Sequence, residues 1–106
     1  MQIVSIKDRT TGTTIAEGLL GQDVYELEDS WYFPVEQVEM ITLNVTERIY
    51  TCPYKGVCYW IDLETDGMHA QNIAWVYEKP KRGYERIAGH IGFSKHGTIA
   101  LAAELA

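Results

Sequence analysis

At 106 residues the chain has the size of one domain, residues 1–106, that buries about 65% of its unfolded surface, and 46% hydrophobic with 23% charged residues excludes a disordered polypeptide. No apolar run approaches the roughly 20 residues that span a bilayer, and Met1 to Asp8 lacks the apolar stretch of a secretion signal, so the expectation is a cytoplasmic protein. The net charge of −6 is uneven, with nine acids against three bases in residues 1–50 and six of each in 51–106; an acidic chain repels phosphate backbones, which argues against nucleic acid as a partner, although Lys79, Lys81 and Arg82 would suit a single anionic group.

Taken in chain order, period-two alternation such as Val4/Ile6, Thr14/Ala16 and Val24/Glu26 predicts strands near 2–7, 13–17, 23–28, 38–44, 47–52, 57–63, 70–78, 90–94 and 97–102. Asp8 to Gly12 and Thr65-Asp66-Gly67 read as hairpin turns. Trp31-Tyr32-Phe33-Pro34 places three aromatics at a chain corner and is expected to cap the core. Helix is confined to single turns at Pro34–Val38 and Arg82–Ala88. The fold class is mainly β: two antiparallel sheets folded on each other as a sandwich or partly open barrel, with one or two short helices.

The densest chemistry lies in Thr51-Cys52-Pro53-Tyr54-Lys55-Gly56-Val57-Cys58-Tyr59-Trp60. Pro53 cannot donate to a sheet ladder and Gly56 accepts a positive φ, so the strand must break after Cys52 and restart at Val57. The turn projects Tyr54 and Lys55, and an amine beside a phenol and a thiol suits an anionic or carbonyl-bearing ligand. The bland alternative is a solvated lysine on a hairpin above two thiols that pack as small hydrophobes. In a cytoplasmic protein Cys52 and Cys58 are expected as free thiols. None of His69, His90 and His96 lies at a metal-finger spacing from them, so neither metal nor cofactor is expected. Val57 to Ile61 is apolar on both faces, which marks a central strand. Large aromatics on such strands pack in cores more often than they cage ligands. Trp60, Trp75 and Tyr77 nevertheless form a candidate pocket wall with Lys55 at the rim. Asp62 and Glu64 share a strand face, as paired metal-binding carboxylates do, but no phosphate loop precedes them and a solvated strand end is the simpler reading.

Tyr32-Phe33-Pro34, the Thr51 to Gly56 turn, Tyr59-Trp60, Ala74-Trp75-Val76-Tyr77, Ile87-Ala88-Gly89 and Phe93 together resemble the small bacterial domain of unknown function family 427. The likeness covers nearly the whole chain and includes Ile15-Ala16-Glu17; Ser94 departs from the aromatic that often follows the Phe. The resemblance implies a β-tent-like half-open sandwich, as in the tent-shaped relatives of guanine-nucleotide exchange and methionine-sulfoxide reduction. It also brings a nucleotidyltransferase label. Relatives of that fold use two cysteine pairs for zinc, which this chain lacks.

The leading expectation is a small-molecule pocket bounded by Tyr54, Lys55, Trp60, Trp75 and Tyr77, in which Lys55→Ala changes stability by less than about 1 kcal/mol. One alternative is an enzyme, either nucleotidyltransferase-like with Asp62 and Glu64 holding metal, or with Cys52 or Lys55 as nucleophile and His90 as a base brought near by the fold. Another is a protein-interaction module that uses the acidic N-terminal half, or an edge-strand homodimer.

Overall fold

The computed structural model describes residues 1–66 and 68–106. Nine strands run β1 Ile3–Asp8, β2 Thr14–Leu19, β3 Tyr25–Leu27, β4 Ser30–Phe33, β5 Leu43–Cys52, β6 Gly56–Thr65, β7 Met68–Val76, β8 Ile91–Ser94 and β9 Leu101–Leu105. They form a three-stranded sheet in the order β2-β1-β9 and a six-stranded sheet in the order β3-β4-β8-β7-β6-β5. All the strand pairs are antiparallel. Among the described residues helix is limited to three single 3-10 turns, Val35–Gln37, Met40–Thr42 and Glu85–Ile87. The mainly β, two-sheet half-open sandwich expected from the sequence is therefore the fold.

Several local expectations need correction, among them the strand expected at 97–102, which begins only at Leu101 as β9. Residues 38–44 do not make a strand: Val38 forms only an isolated bridge to Ala16, and a 3-10 turn intervenes before Leu43 opens β5. Residues 43–52 then form one long strand whose register shifts between Val45 and Ile49. The aromatic corner at Trp31 is the strand β4, paired on both sides by β3 and β8. The expected turn at Thr65-Asp66-Gly67 includes Gly67, which lies outside the described residues.

The alternation along β4, β6, β7 and β8 separates two faces of the large sheet. One face sends Trp31, Phe33, Ile61, Leu63, Ala74, Val76, Ile91 and Phe93 into a core shared with Val4, Ile6 and Leu101 of the small sheet. Phe33 and Phe93 meet edge to face with centroids 5.6 Å apart, the preferred aromatic geometry. Each of these fully buried side chains contributes about 1.5–3 kcal/mol of transfer free energy. The opposite face carries a second apolar cluster of Tyr32, Cys52, Cys58, Tyr77 and Ile87, with Tyr25, Trp75 and Tyr84 against it. The doubly apolar character of β6 thus reflects two separate clusters, and β6 lies inside the sheet between β5 and β7.

Candidate functional site

The second face holds a cavity of about 170 Å³ lined by Tyr32, Tyr50, Cys58, Trp60, Trp75 and Tyr77 with three polar groups, Glu28, Ser30 and Lys55. Its wall follows from register. Tyr32 lies opposite Gly92, Gly92 opposite Trp75, and Trp75 opposite Trp60, so one cross-strand row spans β4, β8, β7 and β6. Trp60 and Trp75 meet edge to face at 6.1 Å, Tyr50 lies 6.3 Å from Trp60, and Tyr32 lies 6.4 Å from Trp75. Trp75 Nε1 donates to Tyr32 Oη at 3.0 Å. This contact passes over Gly92: an added Cβ there would stand 2.8 Å from both Trp75 Cε2 and Tyr32 Cε1. Glycine is required for the two rings to touch.

The Cys-Pro-Tyr-Lys-Gly segment forms the β5–β6 turn, with Gly56 at φ 102° and Cys52 paired to Gly56 across it. The loop between β7 and β8 clamps the turn. Lys81 N donates to Lys55 O at 2.8 Å, and Lys81 Nζ donates to Pro53 O at 3.1 Å. The two projecting side chains point in opposite senses. Lys55 turns inward, its side chain 11% exposed, and pairs with Glu28, with its ammonium 5.9 Å from the Tyr77 ring centroid. Tyr54 points to solvent at 70% exposure and does not line the cavity. Lys55 is thus buried against the cavity and is not the solvated hairpin lysine of the bland alternative.

Glu28 reaches the cavity from a two-residue β3–β4 hairpin in which Glu28 and Asp29 have φ of 47° and 55°. Both central residues are left-handed, as in a type I′ turn, a conformation usually given to Asn and Gly. The absence of glycine hid this turn in the sequence. Burial alone would lower the Lys55 pKa, but the Glu28 hydrogen bond and the charges of Cys52 and Glu28 outweigh it and raise the pKa above its ordinary value. Burial raises Tyr32 and Tyr77, and it likewise pushes up the Cys58 thiol. The cavity therefore presents a charged ammonium, protonated phenols and a neutral thiol near pH 7.

Cys52 is shifted the other way. The backbone N–H of Lys55 donates to its Sγ at 3.4 Å, and this contact holds its pKa below the ordinary thiol value. The thiol is buried under its own turn and is not part of the cavity lining. His90 sits against Tyr25 at 5.5 Å between ring centroids, and its Nδ1 meets Ala88 O at 3.1 Å. Among the described residues no hydrogen bond joins His90 to Cys52.

Asp62, Glu64 and His69 converge at the far end of the β6–β7 pair, with their ligand atoms within 4.8 Å of one another. Asp62 is 2% exposed and already occupied: Arg48 pairs with it, Asn72 N donates to Oδ1 at 3.0 Å, and His69 Nε2 lies 3.1 Å from Oδ2. Burial would raise its pKa, but Arg48, Asn72 and His69 outweigh burial and lower it. Sequence reading placed Asp62 and Glu64 on one face; Arg48 and His69 became partners only through the register of β5 and β7.

A half-open antiparallel sandwich with an aromatic cavity on the outer face of its large sheet is the class defined by this fold. The chain matches the family described as Domain of unknown function (DUF427) over residues 4–103, and it belongs to that family. No protein of curated function matches it.

Proposed function

We propose that the protein binds a small anionic or carbonyl-bearing molecule in the aromatic cavity, with Lys55 as its polar anchor and Trp60, Trp75 and Tyr77 as its apolar wall. The observation that carries this reading is a nearly buried ammonium among aromatic rings, held in place by a strained hairpin on one side and a clamped turn on the other. Burying an ammonium costs desolvation free energy even when it is paired, as Lys55 is with Glu28, so packing alone does not favour a lysine at this position. The size of the cavity selects the ligand: a cavity of about 150 Å³ holds benzene, so about 170 Å³ fits one ring. The raised pKa of Lys55 supports hydrogen bonding over nucleophilic attack, which needs the neutral amine.

Titration with a library of one-ring fragments, followed by the indole N–H signals of Trp60 and Trp75, tests the proposal. Ring compounds with a carbonyl or carboxylate are expected to shift both signals, and Lys55→Met is expected to weaken them about tenfold. Fragments that bind with unchanged affinity to Lys55→Met, or that shift signals only elsewhere, would overturn it.

A further inference from the structure

Tyr32 is 2% exposed and lines the cavity. An indole nitrogen only donates hydrogen bonds, so the contact from Trp75 Nε1 makes the Tyr32 oxygen an acceptor. The phenolic hydrogen of Tyr32 then has no acceptor among the described residues. A hydroxyl hydrogen with no protein acceptor, on the wall of a cavity, is open to a bound ligand or to water. Lys55 offers further hydrogens beyond the one it gives Glu28, and an ionised carboxylate accepts at about four positions, of which the lysine occupies one on Glu28. Tyr32 and Lys55 thus give the cavity two donors beside the acceptor Glu28, on a wall that also carries the hydroxyls of Ser30, Tyr50 and Tyr77.

The charge of that trio chooses between ligand classes. Lys55 and Glu28 neutralise each other, so an incoming carboxylate would bring a second negative charge against Glu28, whereas a neutral carbonyl would not. A ring that carries C=O next to N–H matches all three groups. Resting on the cavity reading above, we propose that the ligand is a neutral one-ring lactam or similar cyclic amide, whose carbonyl oxygen accepts from Tyr32 and Lys55 and whose adjacent N–H donates to Glu28. Tyr32 is then the residue that sets specificity, and the aromatic row supplies stacking surface for a flat ring.

The test is an NMR titration of the intact protein with 2-pyridone, benzoate and toluene, in wild type and in Tyr32→Phe. We expect 2-pyridone to bind at least tenfold more tightly than the other two. In Tyr32→Phe its affinity should fall about tenfold while that of toluene holds, since one ligand hydrogen bond has been lost. Benzoate binding as tightly as 2-pyridone would overturn the lactam assignment and leave the cavity reading standing. A Tyr32→Phe protein that folds and binds 2-pyridone as well as wild type would overturn the role of Tyr32. Should Tyr32→Phe fail to fold, the order of the three probes on wild type decides the question alone. Failure of all three probes to bind would remove both this inference and the cavity reading on which it rests.

Discussion

Replacing Gly92 with alanine places one methyl group where Tyr32 and Trp75 now touch. The added Cβ would stand 2.8 Å from Tyr32 Cε1 and 2.8 Å from Trp75 Cε2, and closer still to Trp75 Nε1. Neither ring can swing aside freely, because Tyr32 is buried and Trp75 also packs edge to face on Trp60. Overpacking of this kind costs about 1–3 kcal/mol, and loss of the Trp75–Tyr32 hydrogen bond adds about 0.5–1.5 kcal/mol. Together they give a destabilisation of about 1.5–4.5 kcal/mol. Urea unfolding followed by tryptophan fluorescence measures it, with the slope of the transition expected to stay constant. The same substitution made in a Trp75→Leu background should cost at least about 1 kcal/mol less, since one of the two clashing rings and the hydrogen bond between them are gone. A loss under about 1 kcal/mol in Gly92→Ala, with the Trp75 indole signal unmoved, would refute the claim that this glycine makes room for the wall of the cavity.

Four further outcomes are expected. Asp62 has a folded-state pKa below its ordinary value, so its stabilisation is fully present above the unfolded pKa of about 3.9 and is lost as pH falls through the folded value. Wild type should therefore exceed Asp62→Asn by about 1–3 kcal/mol at pH 7, with the gap closing in acid; a gap independent of pH would contradict the Arg48 and Asn72 contacts. Lys55 has its pKa raised, so its contribution holds below about pH 10.4 and fades as pH climbs through the folded value, which chemical denaturation of wild type and Lys55→Met at pH 8 and pH 11 will reveal. Because the Lys55 side chain is 11% exposed, Lys55→Ala should cost more than the ~1 kcal/mol of a surface change, in correction of the expectation from sequence. Asp29→Gly relieves a left-handed residue worth about 1–2 kcal/mol against an unfolded-state entropy cost of about 0.4–1 kcal/mol, so the melting temperature should rise slightly; a fall would assign a role to the Asp29 side chain.

The sequence by itself determined the β class, most strand positions, the break at Pro53 to Gly56 and the aromatic strands β6 and β7, because alternation, proline and glycine act on the chain locally. It also carried the family likeness through motifs spread along the chain. What only the tertiary structure decided is which side chains meet. Glu28 and Tyr32 escaped notice because Glu-Asp is a poor turn signature, and Tyr32 read as part of a corner when, with Ser30, it faces the cavity from β4. Lys55 and Tyr54 are sequence neighbours of equal promise, yet the first turns inward to pair with Glu28 and the second stays in solvent. Gly92 looks unremarkable in the chain, and its importance comes from lying between two rings on two other strands. A turn or a strand is encoded by its own residues, whereas a cavity is fixed by the register between strands distant in sequence, and no local pattern records that register.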